Sequence, residues 1–157
     1  KATDAKGGDA NYMPTNADEL LAIAAEHDCD FVAQEFIPND YDLRVLIAGG
    51  EVRRVIKRQR IDDSSHLNNT SKGAEATLVP EDNVSIEIRE VSCRAAALFK
   101  REIAGVDIMS NRDTGKIHIL EVNASPQVAT GAFQSEKLDV YAELFKALLQ
   151  LTHDDTI

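Results

Sequence analysis

The chain has 157 residues, enough for one domain with a core that needs no disulfide or metal staples. Its 43% apolar and 28% charged content excludes whole-chain disorder, and no apolar run reaches the roughly 18 residues of a membrane span. With 17 Lys and Arg against 27 Asp and Glu, the net charge of −10 excludes a general nucleic-acid-binding surface, so any phosphate site must be local.

The first residue is Lys1 rather than Met, and the chain starts in mid-element, as a piece of a longer protein would. Lys1 to Pro14 has little periodicity, and Lys6-Gly7-Gly8-Asp9 reads as a flexible loop. Asn16 with Glu19 three residues later predicts a capped helix start, and the helix runs to about His27. Phe31 to Ile37 reads as a strand stopped by Pro38-Asn39-Asp40. Leu43–Ala48 and Glu51–Gln59 then flank Gly49-Gly50, a two-residue hairpin turn. That register pairs Asp42 with Lys57. It also puts Leu43, Val45, Ile47, Val52 and Ile56 on one face with Arg54 and Arg58.

Arg60 to Thr77 is a long polar stretch of the kind that is more often functional or disordered than a plain connector. Pro80 marks the first turn of a helix, and Val84, Ile88, Val91, Ala95 and Leu98 form its apolar stripe. A second hairpin spans Ala104 to Asn123 with a three-residue turn at Asp113-Thr114-Gly115, pairing Arg112 with Lys116 and Asp107 with Glu121. A last helix starts near Ser135. Leu138, Tyr141, Phe145 and Leu148 lie on one of its stripes, and Val140, Leu144 and Leu151 on another, which points to broad burial or a partner. Cys29 and Cys93 read as reduced, half-buried thiols of a cytoplasmic protein.

Side chains alternate along a strand, so Glu121 and Asn123 share a face, and the register sets Asp107 opposite Glu121. Opposed like charges are destabilising unless compensated, and a hard divalent cation would compensate them. The other reading is a pair of exposed acids facing water. Arg44, Arg53, Arg54, Lys57, Arg58 and Arg60 form a basic run, which is either a solvated strand edge or charge neutralisation for a polyphosphate. The Lys1–Gly8 stretch is not a Walker A sequence, and no Cys/His spacing suits zinc. Ser64, Ser65 and His66 adjoin in sequence without establishing a nucleophile and its base, and His27, His66, His118 and His153 read as surface or packing residues.

Several segments occur in one order: Gln34-Glu35-Phe36-Ile37, Asp42-Leu43-Arg44, Ile56-Lys57-Arg58-Gln59, Asn69 with Lys72-Gly73, Ala104-Gly105-Val106-Asp107-Ile108 and Leu120-Glu121-Val122-Asn123-Ala124-Ser125-Pro126. In these the chain resembles the RimK-type carboxylate–amine ligases of the ATP-grasp superfamily, from Lys1 to about Phe133. The resemblance implies an α+β ATP-grasp fold, a largely antiparallel sheet packed against helices. Residues 1–37 would be a remnant of the smaller subdomain and 38–157 the larger one with the metal site. It implies an ATP- and Mg²⁺- (or Mn²⁺-) dependent ligase that joins a carboxylate to an amine through an acyl phosphate, its substrates an amino acid, peptide or protein terminus. Lys1 would contact ATP phosphates. Glu35, Phe36 and Ile37 would form the adenine-binding linker, and Asp42 would be a nucleotide-contacting acid. Asn69 and Lys72 would lie near the phosphates, and Arg58 would face the phosphates or the acyl phosphate as the catalytic cation. Asp107, Glu121 and Asn123 would hold the metal. The family's upstream domain and the first strands of the small subdomain are missing before Lys1, so this piece alone is expected to be inactive. Gln127 stands where the family's amino-acid ligases more often carry Gly. The competing reading is a non-catalytic nucleotide-binding or assembly module derived from the same fold, its last helix forming an oligomer contact.

Overall fold

The two glycines at positions 49 and 50 take φ of +63° and +76°, and the chain reverses there between two strands. The computed structural model describes residues 1–3, 9–61, 67, 68, 70, 73–129 and 131–154. In chain order these form α1 (Ala17–Glu26), β1 (Asp42–Ala48), β2 (Glu51–Gln59), β3 (Glu75–Leu78), α2 (Ile86–Leu98), β4 (Ile103–Ser110), β5 (Ile117–Asn123) and α3 (Gln134–Asp154). The strands make one antiparallel sheet in the order β3-β2-β1-β4-β5, so β1 and β4, distant in sequence, are central neighbours.

The β1–β2 register begins as expected, Ala48 opposite Glu51 and Ile47 opposite Val52, but then shifts so that Leu46 faces Arg54. Arg53 is the extra residue, a β-bulge. Its guanidinium turns back to donate to the Ala48 carbonyl and pair with Glu51. Asp42 therefore faces Arg58, not Lys57, and Arg54, Ile56 and Arg58 lie opposite the face expected for them. The physical reason is burial. Unbroken alternation would drive Arg54 and Arg58 into the apolar core, whereas the bulge sends Val55 there instead.

That core lies between the sheet and α2. Val45, Ile47, Val55, Ala104, Val106 and Ile108 pack against Ile88, Ala95 and Ala96. Ser85 caps α2 by accepting from the Ile88 amide, and Pro80 precedes a short 3₁₀ turn at Glu81–Asn83 rather than α2 itself. Leu98, expected in the stripe, is exposed. The opposite sheet face carries a smaller cluster, Leu46 and Ala48 under Val140 of α3, flanked by Tyr141 and Leu144. Leu138, Phe145 and Leu148 of α3 stay exposed.

The second hairpin closes on a four-residue loop, not three. The Asn111 amide donates to the Lys116 carbonyl, and the Asn111 side chain accepts from the Asp113 and Thr114 amides. Lys116 thus pairs one residue away from Arg112. A bulge at Leu120 then restores the offset, and Asp107 faces Glu121.

The N-terminal capping is as expected, with the Asn16 side chain accepting from the Glu19 amide. Helix α1 ends at Glu26 and buries no side chain. Phe31 to Ile37 is not a strand. It makes one isolated bridge, Phe31 to Ala2, since among the described residues only Lys1–Thr3 lies alongside. Part of the expected 60–77 loop is instead β3, which pairs with β2 from Ile56 to Gln59. Residues 62–66, which include Ser64, Ser65 and His66, lie outside the described residues, as do Gly7 and Gly8. No described helix is long and apolar enough to cross a membrane.

Replacing the fully buried Ile47 by Ala is expected to cost about 2–5 kcal/mol of unfolding free energy in urea denaturation. Ile119→Ala on the exposed edge strand should cost within about 0.5 kcal/mol.

Candidate functional site

The sheet face under α3 is divided along its strands. Ala48 and Leu46 are apolar and roofed by α3; Arg44 and Asp42, two and four residues further on, are charged. Neighbouring strands add to the charged half. Arg58 comes from β2, Gly105 and Asp107 from β4, and Glu121 and Asn123 from β5. Strand pairing thus gathers five residues anticipated from the sequence: Asp42, Arg58, Asp107, Glu121 and Asn123.

Asp107 is the centre, its side chain only 6% exposed. Arg44 Nε donates to its Oδ1 and Arg44 Nη2 to its Oδ2 at 2.7 Å. Arg58 Nη2 donates to the same Oδ2 at 3.0 Å, while Arg58 Nε reaches Asp42 Oδ1 at 2.6 Å. Arg44 Nη2 also lies 3.7 Å from Glu121 Oε1, so one guanidinium spans the two opposed carboxylates. Asn123 Nδ2 donates to Glu121 Oε1 at 2.8 Å. Gly105 makes room for this. A Cβ there would lie 2.9 Å from Pro126 Cβ and 3.3 Å from Arg44 Cδ.

Burial pushes the Asp42 carboxyl up from 3.8 to about 6, against the neighbouring Arg58 charge, which pulls it down. For Arg58, burial opposes the charge, but the Asp107 and Asp42 carboxylates outweigh it and hold its pKa above the ordinary value. Lys137 of α3 is buried beside the cluster and donates from Nζ to the Gln127 carbonyl at 3.1 Å. Burial and then the Arg44 charge lower its pKa.

A second polar network joins the chain after Ile37 to the chain after Gln59. Asn39 and Asn68 are 2% and 3% exposed. Asn39 Nδ2 donates to the Ile37 carbonyl at 2.8 Å, and Asn68 Nδ2 donates to Asn39 Oδ1 at 2.7 Å. Arg60 donates to both side-chain oxygens. The sequence reading gave no site role to Asn39, Asn68 or Lys137, and it named Arg44 only in a basic run and in the Asp42-Leu43-Arg44 segment. The one local signal for Arg44 was its alternation with Asp42 along β1.

The remaining anticipated residues lie apart. Lys1 is exposed, and its terminal amine donates to the Val32 carbonyl. Glu35 is exposed, Phe36 is 50% exposed and Ile37 is half-buried. Among the described residues, no hydrogen bond or ion pair ties the side chains of Lys1, Glu35 or Phe36 to the Asp107 cluster. Asn69 and Lys72 lie outside the described residues.

Among the described residues, no group of three or more His, Cys, Asp or Glu side chains is placed to hold a metal. A cation would draw on the Asn123 amide as well as Asp107 and Glu121. That donor set is all hard oxygen and suits Mg²⁺. The guanidinium between the two carboxylates marks where positive charge is needed.

A RimK-like ATP-grasp domain profile matches residues 1–148. The chain is 34% identical over 120 residues to a "Probable alpha-L-glutamate ligase" of Syntrophotalea carbinolica, covering 71% of this chain and 38% of that one. It is 30% identical over 118 residues to "Ribosomal protein bS6--L-glutamate ligase" of Escherichia coli, covering 73% and 37%. The chain thus spans well under half the length of these relatives. The fold is similar to that of the ATP-grasp ligase PsnB complexed with a phosphomimetic variant of its minimal precursor, Mg and ADP. There the TM-score is 0.50 with 22% identity, over 82% of this chain and 40% of that one.

The folded-state pKa of Asp42 lies above its unfolded value, so its stabilising contribution is full below pH ~4 and lost as pH rises through ~6. The stability of the wild type relative to Asp42→Asn is therefore expected to shrink across that window in urea titrations. A difference that grows would contradict this. Asn68→Ala removes one of the two donors to the buried Asn39 oxygen, Arg60 remaining, and should cost about 0.5–1.5 kcal/mol in the same measurement.

Proposed function

The chain belongs to the RimK-like ATP-grasp family, and from that footing we propose that it carries part of the site of an ATP-dependent carboxylate–amine ligase. In this reading the γ-phosphoryl group of ATP passes to a substrate carboxylate oxygen, giving ADP and an acyl phosphate. An amine nitrogen then attacks the acyl carbon, the C–O bond to phosphate breaks, and an amide and inorganic phosphate result. The amine's proton leaves to solvent or a base. Catalysis of such a transfer is mostly positioning and charge stabilisation.

The observation that carries the reading is the direct opposition of Asp107 and Glu121, with Asn123 on the same face, around a guanidinium. Asp107, Glu121 and Asn123 are proposed to hold Mg²⁺ (or Mn²⁺), which when bound neutralises charge between the β- and γ-phosphates. Arg58, oriented by Asp42 and Asp107, offers a forked cation toward the phosphates or the acyl phosphate. Glu35, Phe36 and Ile37 are proposed to contact adenine, chiefly through backbone groups. Asp42, Lys1, Asn69 and Lys72 complete the nucleotide contacts. Residues 1–37 are read as belonging to the smaller ATP-grasp subdomain and 38–157 to the larger.

The relatives are named as glutamate ligases, so glutamate is the first amine to test, with a peptide or protein terminus as the carboxylate. The cytoplasm, with its ATP and reduced thiols, is the proposed setting. A second reading, an assembly or nucleotide-binding module without turnover, draws on the exposed Leu138, Phe145 and Leu148 of α3.

Calorimetric titration of a non-hydrolysable ATP analogue, with and without Mg²⁺, tests the site. Binding is expected to need Mg²⁺ and to fall at least about tenfold in Glu121→Ala. Binding that is indifferent to both would remove the metal assignment.

A further inference from the structure

Arg44 lies at the centre of the proposed metal site and has no part in holding the metal. Arg44 donates to both oxygens of Asp107 and also reaches Glu121. It therefore engages two of the three residues proposed to hold a divalent cation.

Asp42, Asp107 and Glu121 carry three negative charges, and the two guanidiniums that pair with them, Arg44 and Arg58, carry two positive ones. A divalent cation added alone would have to displace a guanidinium from a nearly buried carboxylate and would turn this small negative excess into a positive one. A cation arriving with a polyphosphate brings its own negative charge, and the phosphate oxygens offer the guanidinium a second bidentate partner. Arg44 is the more accessible of the two guanidiniums. Its side chain is 24% exposed, against 12% for Arg58, and its tip lies toward the half-exposed Glu121 rather than toward the Asp42 end.

We propose that Arg44 is a resident counter-cation. It holds the opposed Asp107 and Glu121 together in the nucleotide-free chain and makes divalent-cation capture conditional on an anionic polyphosphate that draws the guanidinium away. The inference rests on the metal reading, and it adds that Arg44 occupies the cation's place and must be drawn off before a cation enters. Arg58 does not share this role, because Asp42 anchors its other side.

The probe is Mn²⁺ alone, with free Mn²⁺ read by electron paramagnetic resonance. The wild type is expected to bind it weakly. Arg44→Gln removes one positive charge in contact with both carboxylates and should tighten Mn²⁺ by about tenfold or more. Arg44→Lys keeps the charge without the fork and should gain less. Adding Glu121→Ala to Arg44→Gln should cancel the gain. An Arg44→Gln affinity equal to or weaker than the wild type's overturns the inference, whatever the nucleotide titration shows. A gain that survives Glu121→Ala would move the cation elsewhere and overturn it as well.

If either variant fails to fold, the wild type still decides. The Arg44 Nε–H resonance in a ¹⁵N spectrum should stay at its ion-paired position on addition of Mg²⁺ alone, and a shift there refutes the inference. The metal reading itself fails separately, in the Glu121→Ala calorimetry of the wild-type background.

Discussion

Two carboxylates set directly opposite each other on adjacent strands repel, and the rest of this sheet face is arranged around that repulsion. Solvent does little to screen Asp107, because its side chain is almost wholly covered. It is compensated by two guanidiniums, one from each of the next two strands. Each of those is oriented by a further acid, Glu121 for Arg44 and Asp42 for Arg58. Removing Asp107 leaves both guanidiniums short of a partner, and breaking such a buried pair costs more than the intact pair contributes to stability. Such a cluster is poor at holding a fold together and well suited to exchanging one charged partner for another.

The same face shows how a small sheet supports both a core and a site. Strand alternation gives Leu46 and Ala48 to α3, and the next two positions on that face, Arg44 and Asp42, lie beyond the α3 cluster. On the other face the two central strands are apolar, with Val45, Ile47, Ala104, Val106 and Ile108 packing on α2. The scaffold that fixes the charged residues is therefore backed by the main core.

Much of this was legible in the residues. Gly49-Gly50 announced the first hairpin, and Glu121 and Asn123 could be put on one face by counting. The chain's likeness to RimK-type ligases supplied the α+β architecture before any strand order was known. The bulges were not legible. Arg53 and Leu120 have nothing in their local sequence that marks an extra residue, since a bulge answers to which side chains must avoid the core. Counting still set Asp107 opposite Glu121, because the one-residue error at the Asn111–Lys116 turn was undone by the bulge at Leu120. It misplaced Arg58, because no second shift undid the one at Arg53. The role of Arg44 was invisible for another reason: its partner Asp107 is 63 residues away, on a strand whose pairing with β1 no local pattern announces. Phe31 to Ile37 has strand-like composition but, among the described residues, only the bridge to Ala2 to pair with, and propensity alone does not make a ladder.

That 63-residue separation bears on the order in which the molecule assembles. Each hairpin closes over a short loop and can form early and independently. The β4–β5 hairpin, formed alone, sets Asp107 against Glu121 with no cation supplied from within the pairing, so it is electrostatically frustrated until β1 docks and brings Arg44. The charged cluster is thus a product of the slowest, most non-local step of folding. A chain that has paired its hairpins but not joined them has neither the central sheet nor the arrangement of charges on which its chemistry would depend.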